Sequence, residues 1–182
     1  MNIPIDISQK TLKTKRLILR PWKESDVDDL FEYASVDGVG QMAGWKPHQT
    51  IEESKSIIDM FIKGKKTFAI EYKNKVIGSI GIELYDEKLF PELDALKGRE
   101  IGYVLSKEYW GNELMPEGVK EVMRYLFEDL HVDFIMCAHF TYNNQSKRVI
   151  EKCGFKHYAS TRKHTLLDTD EDLEVYIKMK ES

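Results

Sequence analysis

The sequence predicts an α/β (α+β) fold with a mixed, mainly antiparallel central sheet flanked by helices. Three observations predict it. Short runs that alternate apolar and polar residues, rich in β-branched and aromatic side chains, recur along the chain and read as strands. Two of these runs stand back to back across Asn74-Lys75, which marks a hairpin. Between the strands lie segments whose apolar residues recur at helical spacing, each with a single face to bury.

The first strand is Leu17 to Arg20, after which Ser25-Asp26 starts an acidic helix with Val27, Leu30, Phe31 and Ala34 inward. Gly38 to Gln49 carries Gly, Pro and Trp without periodicity and reads as a loop. Thr50, with Glu53 three residues on, caps a second helix that buries Ile51, Ile57, Ile58, Phe61 and Ile62. The hairpin pairs Thr67 to Tyr72 with Val76 to Leu84, where Gly78 and Gly81 mark a bulge or a close backbone approach. Tyr85 to Gly98 is polar and is expected to form an exposed connection. An apolar strand, Ile101 to Leu105, then leads through Tyr109 to Gly118 into a helix facing inward with Val119, Val122, Met123, Leu126, Phe127 and Leu130. Phe134 to Ala138 reads as a buried strand. A short helix follows, capped by Asn143 or Asn144, with Val149, Ile150 and Cys153 inward and Gly154 ending it in the left-handed position. Tyr158 to Leu166 and Leu173 to Met179 close the sheet.

Length and composition narrow the function classes. The 182 residues suit one domain spanning 1–182, with no linker and no internal repeat. A formal net charge of −4 argues against nucleic acid as a partner and is compatible with a cationic amine. No apolar run approaches the roughly 18 residues needed to span a membrane, and no secretory signal opens the chain, so a cytoplasmic enzyme without a membrane partner is expected. Cys137 and Cys153 sit in apolar patterns without metal-ligand spacing, and they read as reduced core thiols with no metal site.

The most informative segment is Tyr109-Trp-Gly-Asn-Glu-Leu-Met-Pro-Glu-Gly118, a tight loop between a strand and a helix. Such a junction aims unpaired backbone N–H groups and the positive end of a helix dipole at one point, where a phosphate can sit. The competing reading is structural, because the turn needs a glycine and Pro116 suits a first helical turn. A second motif follows as Asn143-Asn-Gln-Ser-Lys-Arg-Val-Ile-Glu-Lys-Cys-Gly-Phe155. In order and spacing, the two motifs with their strands resemble the GCN5-related N-acetyltransferases (GNAT superfamily). Within that superfamily the chain is similar to the RimJ/RimL ribosomal-protein acetyltransferase branch, which Thr14-Lys-Arg-Leu-Ile-Leu-Arg-Pro-Trp22 and Glu100-Ile-Gly-Tyr103 also match.

The resemblance implies acetyl-CoA as co-substrate, no metal, and an acceptor that is an amine, either a small molecule or a protein N-terminus. It assigns the coenzyme to Gly111, Asn112, Glu113, Leu114 and Met115, to the backbone of Val104, Leu105 and Ser106, and to Asn143. The family's loop carries a basic or amide side chain and a second glycine where this chain has Glu108 and Glu113. Acetyl transfer needs a neutral amine, which a peptide α-amine of pKa about 7.7–8.0 supplies far more readily than a lysine-like amine near 10.4. Glu100 is the first candidate for the base and Glu83 the reserve. The glutamate some RimL-like relatives carry on a later strand falls here near His164-Thr165. Ser146 is the candidate proton donor, since Ile150 occupies the place of the tyrosine other family members use. Trp45 and His48 in the early loop, with Glu83, are candidates for substrate contact, and Tyr103, Trp110, Tyr142 and Tyr176 read as core. Direct attack in a ternary complex is expected, from a monomer or homodimer. The alternative is a degenerate acyl-CoA-binding or regulatory domain, which the two loop carboxylates would favour.

Overall fold

A computed structural model describes all 182 residues. Eight strands form one sheet in the order β1-β2-β3-β4-β5-β6-β8-β7. They are β1 (Leu12–Lys13), β2 (Leu17–Pro21), β3 (Thr67–Tyr72), β4 (Lys75–Glu83), β5 (Gly98–Leu105), β6 (Phe134–Phe140), β7 (Lys156–His164) and β8 (Asp170–Met179). Four helices cover the sheet: α1 (Val27–Ala34), α2 (Ile51–Gly64), α3 (Leu114–Arg124) and α4 (Asn144–Lys152). Every pairing is antiparallel except β5 with β6, because α3 carries the chain back across the sheet between them. The mixed, mainly antiparallel architecture agrees with the sequence reading, down to the hairpin of β3 and β4. Two chain segments pair one step beyond what the pattern suggested: Leu12–Lys13 adds an edge strand, and β8 inserts between β6 and β7.

The single parallel pairing positions the site. Its register runs Gly98↔Phe134, Arg99↔Ile135, Glu100↔Met136 and Ile101↔Cys137, and there it stops. Both strands continue, β5 to Leu105 and β6 to Phe140, each still held by its outer neighbour. A wedge therefore opens between Gly102–Leu105 and Ala138–Phe140, with unpaired strand edge on both sides.

Three apolar clusters fix this frame. The largest joins β2 to β6 with the inner face of α3 and α4, through residues such as Leu19, Ile80, Ile101, Val119, Leu126 and Ile150. A second lies under α1 and α2 on the other face around Trp22, Leu30, Tyr33 and Ile58. The third corrects an expectation: Tyr85 to Gly98 is not a merely exposed connection. Tyr85, Phe90 and Leu93 are buried against Phe134, Met136 and Val175, and a turn of 3-10 helix at Pro91–Leu93 folds the segment onto the sheet. Its few apolar residues were hidden among charges, and no period betrayed them.

Helix details also shift. Thr50 caps α2 by accepting from the N–H of Glu53 at 3.3 Å, as its sequence suggested, yet Ser54 and Ile58 are the residues fully buried and Ile62 is exposed. After α3 the chain passes into a π-helical segment, Tyr125–Asp129, whose wider turn leaves Phe127 and Leu130 only partly buried.

Candidate active site

The wedge holds a cavity of about 210 Å³. A second hollow of about 460 Å³ continues from it along the start of α3, and Leu105, Trp110, Met115, Gln145 and Val149 line both. The two form one path from the helix N-terminus into the sheet.

At the outer end, Gly111 takes φ +81° and Glu113 φ +61°, and this left-handed pair turns the chain into α3. No acceptor in the protein meets the N–H groups of Gly111, Asn112, Glu113, Leu114 or Met115. Five consecutive donors are thus left free at the positive end of an eleven-residue helix, an arrangement suited to a diphosphate. Pro116 follows without loss, having no N–H to leave unpaired. Arg148 and Lys152 of α4 line the same hollow, so its rim is cationic. Of the two glutamates that break the family pattern, Glu113 lines this hollow and Glu108 does not. Glu113 is ion-paired with Lys152, and Glu108 faces away, beside Ser106 and Lys107 on the far side of the turn.

The strand edge sorts the expected backbone contacts. The N–H of Ser106 donates to Ile77 O at 2.7 Å, which makes Ser106 and, two residues back, Val104 the positions that bond to β4. Alternation then turns the peptide groups of Tyr103 and Leu105 toward the wedge. The Leu105 carbonyl already accepts from the Trp110 indole at 2.9 Å, which anchors the turn to the strand.

Asn143 caps α4 by accepting from the N–H of Ser146 at 3.1 Å, and its amide nitrogen donates to Met42 O at 3.4 Å, tying the helix start to the loop after α1. Ser146 and Tyr103 share a hydrogen bond of 2.8 Å between hydroxyls, and the Tyr103 hydroxyl also reaches Ser146 O at 3.2 Å. Burial holds the Tyr103 phenol well above its ordinary pKa, so it keeps its proton. Tyr103 is a functional candidate that sequence reasoning set aside as core. The alternation of β5, which aims Tyr103 at α4, was the available signal.

Glu100 lies on the other face. Its partner in register is Met136, which places it with Ala138 and Phe140, and through β8 and β7 with Leu173, Thr161 and Lys163. Burial pushes the Glu100 carboxyl up to about 7, with the Lys163 cation opposing and the carboxylates of Glu83 and Asp86 adding to the rise. Glu100 and Ser146 thus line the wedge from opposite sides. Glu83 stands beside Glu100 in the sheet but is ion-paired with Lys66 and lies outside the cavity. Trp45 lies tilted against His48 and packs into the second core, and His48 Nδ1 bonds Ser54 Oγ at 2.8 Å. Neither lines the wedge; Val39, Met42 and Ala43 of the same loop do. His164 is exposed between Asp168 and Asp170, and the neighbouring Lys163 takes the cavity position.

The acetyltransferase (GNAT) domain family matches residues 16–156. The chain belongs to this family. It is 30% identical over 173 residues to the uncharacterized N-acetyltransferase YoaA of Bacillus subtilis (strain 168), covering 91% of this chain and 94% of that one. An acetyltransferase of the GNAT family from Bacillus anthracis shares the fold with a TM-score of 0.80 at 22% identity, covering 94% of this chain and 99% of that one. The microcin C7 self-immunity acetyltransferase MccE, solved with acetyl-CoA and AMP, aligns with a TM-score of 0.77 at 17% identity over 91% of this chain and 93% of its own. A putative ribosomal-protein-serine acetyltransferase from Vibrio cholerae and the ribosomal-protein-S5-alanine acetyltransferase from Vibrio fischeri share the fold, with TM-scores of 0.77 and 0.71 at 16% and 21% identity. The chain is an acetyl-CoA-dependent acetyltransferase of the GNAT type. No helix is long and apolar enough to cross a membrane.

Proposed function

We propose that this GNAT member moves an acetyl group from acetyl-CoA to a primary amine by direct attack while both are bound. The observation that carries the reading is the wedge itself, a break in β5–β6 pairing that links five free N–H donors at one end to a buried, unpaired carboxylate at the other.

The residues present fit the coenzyme. The donors of Gly111 to Met115, with Arg148 and Lys152, suit its diphosphate, and the free peptide edge of Tyr103 with the N–H of Leu105, whose carbonyl is taken by Trp110, suit an amide-rich arm laid along the strand. The bound coenzyme supplies an activated acetyl group on a thiol that ordinarily titrates near 8.5, a leaving group that needs little acid assistance. Glu100, titrating near 7, is ionised about half the time at neutral pH and can take the proton an attacking α-amine loses. As the new C–N bond forms and the C–S bond breaks, Ser146 can give its hydroxyl proton to the departing sulfur, and solvent restores Ser146 and discharges Glu100. Tyr103 holds the Ser146 hydroxyl in place.

Neither cysteine suits a covalent relay. Both are buried, and burial raises the Cys137 thiol well above its ordinary value and pushes Cys153 up to about 11. The rival reading of a binding-only domain drew on Glu108 and Glu113, of which one faces away and the other is balanced by Lys152.

The test is acetyl-CoA affinity together with thiol release against a panel of amines. Micromolar binding with amine-dependent thiol release is the expected result. Binding without turnover on any amine would favour the rival, and turnover lost in a variant lacking both cysteines that still binds acetyl-CoA as tightly as wild type would exclude direct attack.

A further inference from the structure

On the Glu100 side of the wedge, two opposite charges face one cavity without meeting. The Glu100 side chain accepts no hydrogen bond, and its burial is eased by the charge of Lys163 rather than by contact with it. Lys163 lies two residues beyond Thr161, the partner of Leu173, and it joins no ion pair although it lines the same cavity. The wall between them is apolar, made of Ala138, Phe140 and Leu173, and Met42 lies across from it. A negative site, an apolar surface and a positive site in sequence describe the complement of a small zwitterion.

We propose that the acceptor is a free amino acid with an apolar side chain, its amine delivered to Glu100 and its carboxylate held by Lys163. This inference rests on the acetyltransferase reading above and narrows it. A protein N-terminus offers a neutral carbonyl beside its α-amine, so it would bring Lys163 no charge partner while covering it. A free carboxylate satisfies the ammonium, and the charge left on Lys163 after pairing no longer opposes the incoming amine.

The experiment compares free leucine, leucinamide and a leucine-led tripeptide amide as acceptors for the full chain and for Lys163→Gln, reading kcat/KM by thiol release at one pH. Leucine is the more basic amine, a difference that is the same in both proteins, and Lys163 also acts on Glu100, an effect that is the same for both substrates. The informative quantity is therefore the leucine-to-leucinamide ratio in one protein divided by the same ratio in the other. The expected result is a ratio about tenfold lower in the variant, the worth of one charge-assisted hydrogen bond, with the tripeptide amide the poorest acceptor of the wild type. An unchanged ratio, or a tripeptide amide acetylated faster than leucine, overturns the inference while leaving the acetyltransferase reading intact. Failure of the wild type to bind acetyl-CoA or turn over any amine overturns both. Acetyl-CoA affinity measured on the same Lys163→Gln sample shows that the variant is folded.

Discussion

Replacing Glu100 by Gln keeps the shape of the side chain and removes the group that can accept a proton, and its effect must depend on pH in two linked ways. A carboxyl titrating near 7 is ionised for about a tenth of molecules at pH 6 and about nine tenths at pH 8, so catalysis through it grows roughly tenfold over that range. The amine's own titration cancels when wild type and variant are compared on one substrate. The wild-type to Glu100→Gln ratio of kcat/KM is expected near tenfold at pH 6 and about a hundredfold at pH 8, within the usual worth of a general base. Stability moves the other way. The folded carboxyl holds its proton up to about 7, whereas an ordinary glutamate loses it near 4.5. Between those values the folded state binds the extra proton, so wild-type stability falls as pH rises through the window and stays lower above it. The shift corresponds to about 2–3 kcal/mol for a carboxyl buried apart from its last contact with solvent. Glu100→Gln lacks that penalty, and urea melts should place it level with wild type at pH 4.5 and above it at pH 8. A rate ratio flat across pH would remove Glu100 from the chemistry. A variant less stable than wild type at pH 8 would refute the buried, unpaired carboxylate on which the base role depends.

Other positions test the frame around it. A Cβ on Gly78 would sit 2.3 Å from Val104 O, so Gly78→Ala must push β4 off the free end of β5; a loss of about 1–3 kcal/mol in chemical denaturation and weaker acetyl-CoA binding are expected together, and unchanged affinity would detach that strand end from the coenzyme. Asn143→Ala removes the α4 cap and the tie to Met42 O, costing about 1 kcal/mol of stability and several-fold in acetyl-CoA affinity by calorimetry. Glu113→Gly places a residue without a Cβ at φ +61° and frees Lys152 for the anion, so acetyl-CoA should bind about two- to fivefold tighter, and weaker binding would contradict the placement of the diphosphate.

The strand-turn-helix junction proposed for the donor was legible in the sequence because it is built from consecutive residues. Gly111 and Pro116 mark a turn and a first helical turn by residue type and order, whereas the left-handed Glu113 carries no such signal and the coenzyme role of the loop came from the resemblance. The capped α4 was legible for the same reason, since Asn143 and Ser146 are three residues apart. What a single segment could not show was direction. Tyr103 was read as core because an aromatic residue on a strand is usually core, and only the packing of α4 against that face turns its hydroxyl onto Ser146. The buried segment from Tyr85 to Leu93 escaped for want of any period.

The acceptor side was illegible for a different physical reason. Its lining comes from the loop after α1, from β5, β6 and β7, and from β8, so residues as far apart as Met42 and Lys163 become neighbours only when the sheet closes. Trp45 and His48 drew attention as large side chains in an irregular loop, yet those side chains are what the loop uses to hold itself: a Cβ on Gly40 would meet the Trp45 ring at 2.4 Å, and His48 is bonded to Ser54. The anchored half of the loop then presents its smaller residues, Val39, Met42 and Ala43, to the cavity. A backbone device for the donor beside a wall of scattered, exchangeable side chains for the acceptor is the arrangement in which loop and strand substitutions change the amine accepted without disturbing the thioester. On that logic, exchanging Met42 or Leu173 should alter KM for the amine far more than for acetyl-CoA, and equal effects on both would mean that the two halves of the wedge are not separable.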